Sequence, residues 1–202
     1  MNYKKFLGAA SAALMIVIVM TLALAPDAWA ASKYKVLYRF DGAAGAYPAG
    51  AYPSSSLIFD KAGNLYGTTT DGGDCYPCGT VFELTPNLDG SWTESVLHSF
   101  NGSDGAEPLA DLIFDAAGNL YGTAFGGGSA HCGISGCGVV FKLAPNLDGS
   151  WAYSLIHVFK GKPAEYPEDG LVLGSAGTLY GTTRTCMGWD AGCRGVVYQI
   201  TP

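Results

Sequence analysis

The chain has 202 residues, a formal net charge of −6, 49% hydrophobic residues and only 14% charged ones. An acidic surface excludes the electrostatic footprint needed to bind nucleic acid or anionic lipid. Twenty-nine glycines and almost no helical periodicity point to an all-β protein.

The first thirty residues read as an export signal. Lys4 and Lys5 give a positive start, Phe6 to Ala25 carries no charge, and Ala28-Trp29-Ala30 offers small residues at the two positions a signal peptidase reads. Cleavage after Ala30 leaves a mature chain from Ala31, secreted or periplasmic, with no membrane association thereafter. The apolar run is also long enough to span a bilayer, so a retained anchor is the alternative. Removing Lys4, Lys5 and Asp27 takes the formal charge from −6 to −7. Residues 31–202 form one domain's length of chain.

That domain is written in repeats, approximately 34–92, 93–151 and 152–202. "LIFDKAGNLYGT" at Leu57–Thr68 returns as "LIFDAAGNLYGT" at Leu112–Thr123 and "LVLGSAGTLYGT" at Leu171–Thr182. Trp92 and Trp151 of "NLDGSW" are 59 residues apart. Each repeat carries four short apolar runs bounded by Gly, Asp, Asn or Pro, the punctuation of strands. The first run is "VLYRF", "SVLHSF" or "SLIHVF"; the second is "LIFD" or "LVLG". The third is "NLYGT" or "TLYGT", and the fourth is "GTVFEL", "GVVFKL" or "GVVYQI". In the fourth run Phe82 and Leu84 flank Glu83, which predicts a half-buried strand. The Asp-x-x-Gly-Asn segment joins two strands as a turn, so the repeated text is a hairpin and its repetition is architectural. It lacks the carboxylate density and distal Glu of an EF-hand, which argues against calcium.

The fold this predicts is all-β, a propeller-like array of three four-stranded antiparallel repeats, with a β-trefoil as the alternative. Strand phase favours the propeller. If "LIFD" opens each blade, the last blade lacks its outer strand and Lys35–Phe40 is left over at the start. Propellers use such an offset to close a ring. Three blades are few for closure, so a homodimer completing a six-bladed ring is one predicted assembly, and a closed or open monomer is the alternative.

The pattern Pro-x-x-x-Leu-Ile-Phe-Asp-x-x-Gly-Asn-Leu-Tyr-Gly-Thr-Thr, followed by Gly-Gly and then Gly-Thr-Val-Phe-x-Leu-Thr-Pro, resembles the GloVer tandem repeat of bacterial secreted choice-of-anchor proteins. Its Asp-x-x-Gly-Asn-Leu-Tyr core is also similar to the blade motif of two-component-regulator-type propellers. The resemblance implies an extracellular propeller-like array and supplies no catalytic residues.

The six cysteines fall in one loop of each repeat, between the third and fourth strands: Cys75 and Cys78, Cys132 and Cys137, Cys186 and Cys193. In an exported chain they read as three local disulfides. A redox Cys-x-x-Cys would open a helix, and a zinc site would need four ligands, so neither a metal nor another cofactor is expected. His98 and His157 share one strand position and read as packing residues. His131, alone beside Cys132, is the histidine to test as a ligand contact.

The same loops form the candidate binding face: Asp71, Asp74 and Tyr76, then Phe125 and His131, then Arg184, Trp189 and Asp190. Tyr47-Pro48, Tyr52-Pro53 and Tyr166-Pro167 join them. Aromatic rings beside carboxylates suit a carbohydrate or peptide ligand. No nucleophile–base pairing stands out. The function read from the sequence is therefore an extracellular binding or scaffold module without catalysis. An exported hydrolase or lyase on a propeller scaffold is one alternative, and a purely structural repeat is another.

Overall fold

A computed structural model describes residues 33–40, 50–185 and 194–201. The segment expected to be an export signal, Tyr47 and Pro48 lie outside the described residues. The chain divides into two compact units, Met1–Val36 and Leu37–Pro202. In the first, residues 33–36 belong to no helix or strand.

Among its described residues the second unit is all-β, apart from two short 3-10 turns at Ala130–Ser135 and Ser175–Gly177. The first sheet holds β1 (Ala51–Pro53), β2 (Ile58–Phe59), β3 (Leu65–Asp71), β4 (Thr80–Pro86) and β5 (Trp92–Ser99). The second holds β6 (Ile113–Phe114), β7 (Leu120–Ala124), β8 (Val139–Pro145) and β9 (Trp151–Val158). The third holds β10 (Val172–Leu173), β11 (Leu179–Thr183) and β12 (Val196–Ile200). All pairings within these sheets are antiparallel, and β5 and β9, the opening runs of the second and third repeats, close the sheets of the repeats before them. Three separate sheets make a propeller-like array, not the shared barrel of a trefoil.

The four-strand expectation holds for the second sheet and shifts in the other two. In the first, the entry strand splits into β1 and β2, which pair with opposite ends of β3 (Ala51 opposite Asp71, Ile58 opposite Tyr66). In the later repeats β1 shrinks to single bridges, Ala106 with Gly126 and Glu165 with Thr185. In the third, β12 is the last strand of its sheet. The leftover run ending at Phe40 forms no strand. A strand needs a ladder partner, and the register of the other repeats would place that partner in a preceding repeat.

The turns explain why the hairpin text recurs. Asp115 Oδ1 accepts from the backbone N–H of Ala117 and of Asn119, both at 2.9 Å, and Oδ2 accepts from Asn119 Nδ2 and the Tyr121 hydroxyl. Asp60 repeats the arrangement with Ala62, Asn64 and Tyr66. Partial burial opposes ionisation of both carboxyls, but these hydrogen bonds outweigh it and hold them below the ordinary range. Gly63 and Gly118 close the turns at φ near +90°.

The core lies between sheets. Tyr66 and Val81 of the first sheet bury against Leu112, Leu120, Val139 and Phe141 of the second. Tyr121 and Val140 of the second bury against Leu171 and Leu179 of the third. Strand β4 is covered on both faces, Val81 by the second sheet and Phe82 by Tyr38, Phe40 and Trp92, and is not the half-buried strand its alternation predicted. Within Thr80–Leu84 Glu83 alone is half-exposed, and its Oε1 lies 2.8 Å from the Tyr66 hydroxyl that also faces Asp60.

The same stacking fixes the outer strands. The Tyr153 ring lies on His98, centroids 3.8 Å apart and planes 7° apart, and its hydroxyl donates to the Asp104 carbonyl at 2.6 Å. Burial, opposed by Asp104, lowers the His98 pKa, as expected of a packing histidine.

Candidate functional site

The cysteine loops follow β3, β7 and β11. In the first loop Cys75 and Cys78 form a disulfide with Cα atoms 5.3 Å apart. Gly79 N–H donates to the Gly72 carbonyl at 2.9 Å and closes the loop base. Cys78 is buried in the core, whereas Tyr76 between the cysteines is exposed. Asp74 is exposed, and Asp71 ends β3 half-buried, its carbonyl accepting from Thr69 Oγ1.

In the second loop Cys132 and Cys137 are bonded, Cα atoms 5.1 Å apart. The backbone folds tightly around Gly127, whose N–H donates to the Ser135 carbonyl and whose carbonyl accepts from Cys137 and Gly138. A Cβ at Gly136 would collide with the Gly127 backbone, so the glycine run is a packing requirement. His131 is exposed, with Nδ1 2.6 Å from Ser129 Oγ.

Both described loops are also tied to the following repeat. Glu107 N–H donates to the Cys78 carbonyl at 2.9 Å, and Tyr166 N–H donates to the Cys137 carbonyl at 2.8 Å. The carbonyls of the same two residues accept from Phe125 and Arg184. Tyr52, Glu107 and Tyr166 occupy one repeat position, and all three hold a left-handed backbone at φ +57°, +53° and +61°. Such a conformation is costly outside glycine. At Glu107 and Tyr166 it lets a single residue bond both ways across the repeat boundary. Each precedes a proline (Pro53, Pro108, Pro167), a signal in the sequence whose structural meaning was not read there.

Of the candidate residues, the structure brings Phe125 and Arg184 together through Tyr166. Phe125 stacks on the Tyr166 ring at 4.8 Å and 19°, while Arg184 N–H donates to the Tyr166 carbonyl. Arg184 also pairs with Glu168, Nε to Oε2 3.8 Å. Asp71, Asp74, Tyr76 and His131 stay within their own loops. Cys186, Cys193, Trp189 and Asp190 lie outside the described residues.

Glu165 was missed by sequence reasoning. It is buried, takes a hydrogen bond from Thr185 Oγ1 at 2.9 Å, and places Oε2 2.8 Å from Cys132 Sγ. Cys132, Cys137 and Glu165 thus gather two sulfurs and a carboxylate in one place. With the disulfide formed, neither sulfur is available as a thiolate to a metal.

At the other end of the sheets a groove of ≈ 570 Å³ separates the Asp60 and Asp115 turns, walled by Phe59 and Phe114. Its two carboxylates are already engaged by their own turns. The loop face, with its outward side chains, is the better site.

No characterised protein matches the chain. The model of the Gloeobacter/Verrucomicrobia repeat matches residues 23–193, which spans all three hairpins and all three cysteine loops, and the chain belongs to that repeat family.

Proposed function

We propose that this repeat protein is an exported binding module whose cysteine-loop face holds a carbohydrate. The observation that carries the reading is a contrast within that face. The frame repeats, because each described loop is closed by a disulfide and bonded to the next repeat. The side chains offered on the frame do not repeat: Tyr76, then Phe125 with His131, then Arg184 with Glu168. A rigid frame with individual aromatic and charged groups suits selective recognition of a polar, ring-containing ligand. Local disulfides fit an oxidising compartment outside the cytoplasm.

The test is a glycan array probed with the purified exported protein, with an array of peptides beside it. Selective glycan binding is expected, weakened at least tenfold (about 1.4 kcal/mol) by Tyr76→Ala or Phe125→Ala. Binding confined to peptides would replace the carbohydrate by a peptide ligand. Binding to neither would leave a scaffold without a ligand.

A further inference from the structure

The sheet-to-sheet interface occurs twice inside this chain, and each of the two outermost faces leaves counterpart residues exposed, although Leu65, Phe82 and Leu84 on the first of them lie under Tyr38, Phe40 and Trp92. Val81 and Val140 are 0% exposed under the next sheet, but their counterpart Val197 on β12 is 80% exposed. Tyr66 and Tyr121 are 4% and 6% exposed, whereas Tyr180 is 40% exposed. On the opposite face of the first sheet, Leu57 is 47% exposed although Leu112 and Leu171 are 1% and 4%. Phe59 is 65% exposed, while its counterpart Phe114 packs edge-on against Tyr66 with centroids 5.1 Å apart. One end therefore presents the tyrosine–valine half of the recurring interface, and the other presents the leucine–phenylalanine half.

The backbone shows the same complementarity. Phe100 and Phe159, at the ends of β5 and β9, sit edge-on against Phe141 and Tyr198 of the following sheet, at 5.3 and 5.2 Å. Phe40 sits in the same way on Phe82, at 4.9 Å and 64°. Residues 37–40 thus already lie where the outer strand of a preceding sheet would end. The third sheet finishes at β12 and has no such outer strand among the described residues.

We infer that a second copy of this chain covers these faces: the third sheet of one copy docks on the first sheet of the other, and β12 pairs with the partner's segment ending at Phe40. The register follows from the internal ladders. Val81 stands opposite His98 and Val140 opposite His157, so Val197 takes Tyr38 of the other copy. Tyr180 meets Phe59 of that copy as Tyr66 meets Phe114. Made twice, the contact joins two three-repeat chains into a closed six-sheet assembly, within the range of about four to eight blades that propellers adopt. Closure also removes the exposed β12 edge, which would otherwise template aggregation.

The test is sedimentation velocity on the purified exported protein, with Val197→Asp and Phe59→Asp. Both positions are exposed in the single chain, so thermal melting should show both variants folded. Wild type should sediment as a dimer at micromolar concentration. Each variant alone should be a monomer, its dissociation constant raised at least a hundredfold. An equimolar mixture of the two variants should regain dimers, because one undamaged interface can then form between unlike chains. A monomeric wild type would overturn the inference. So would a dimer indifferent to either substitution, or a mixture that stays monomeric.

Discussion

The Phe141 ring lies across Gly122 so closely that a Cβ built on the glycine would fall 2.6 Å from Cζ of the ring. Gly67 stands in the same relation to Phe82, and Gly181 to Tyr198. The glycine of each "LYGT" strand is therefore the floor on which the next strand's aromatic ring rests.

Gly122→Ala should destabilise the fold by about 1–3 kcal/mol, the usual cost of overpacking a filled core. Chemical denaturation measures it. Adding Phe141→Leu should recover part of the loss, since the two changes share one volume. A neutral Gly122→Ala would mean that the ring does not rest there.

The third repeat departs from the other two at this contact. Tyr198 replaces the phenylalanines, and its buried hydroxyl has no hydrogen-bond partner among the described residues. Tyr198→Phe should stabilise the protein by about 1 kcal/mol, because a buried unsatisfied hydroxyl costs about that or more. Differential scanning calorimetry should show a higher Tm. A lower Tm would reveal a partner for the hydroxyl.

Much of this architecture is legible in the sequence. Asp, Asn and Gly at fixed offsets specify the turns by local hydrogen bonding, and the two described cysteine pairs stay within single loops. What escapes local reading joins residues far apart in the chain. The Cys132–Glu165 contact spans 33 residues. The Phe125–Tyr166 stack likewise needs the second sheet laid against the third. The burial of both faces of β4 also depends on a neighbouring sheet, so alternation within one strand could not announce it. The left-handed backbone at Glu107 and Tyr166 is set by bonds to the preceding repeat, and the proline after each residue is its only local trace.

Glu94 on β5 gives the stability a pH dependence. It is half-buried, its Oε1 has no hydrogen-bond partner among the described residues, and burial pushes its carboxyl up to about 6 from an ordinary 4.5. A raised acid pKa means that the folded state holds its proton longer than the unfolded state. The contribution is complete below pH 4.5 and is lost as pH rises through about 6. Glu94→Gln should flatten the stability profile across that window and add about 1 kcal/mol at pH 7.5, a figure reduced for the solvent that screens the exposed half. Denaturation midpoints from pH 4 to 8 read the effect, and an unchanged slope would place the proton elsewhere.

The proposal that the chain is exported with locally stapled loops is tested most directly by intact mass and a non-reducing peptide map of the protein recovered outside the cytoplasm. The expected chain starts at Ala31 and lacks the six hydrogens of its six cysteine thiols. Cys75–Cys78, Cys132–Cys137 and Cys186–Cys193 should each map within a single loop. A chain that still starts at Met1, free thiols, or a bridge between two repeats would contradict it.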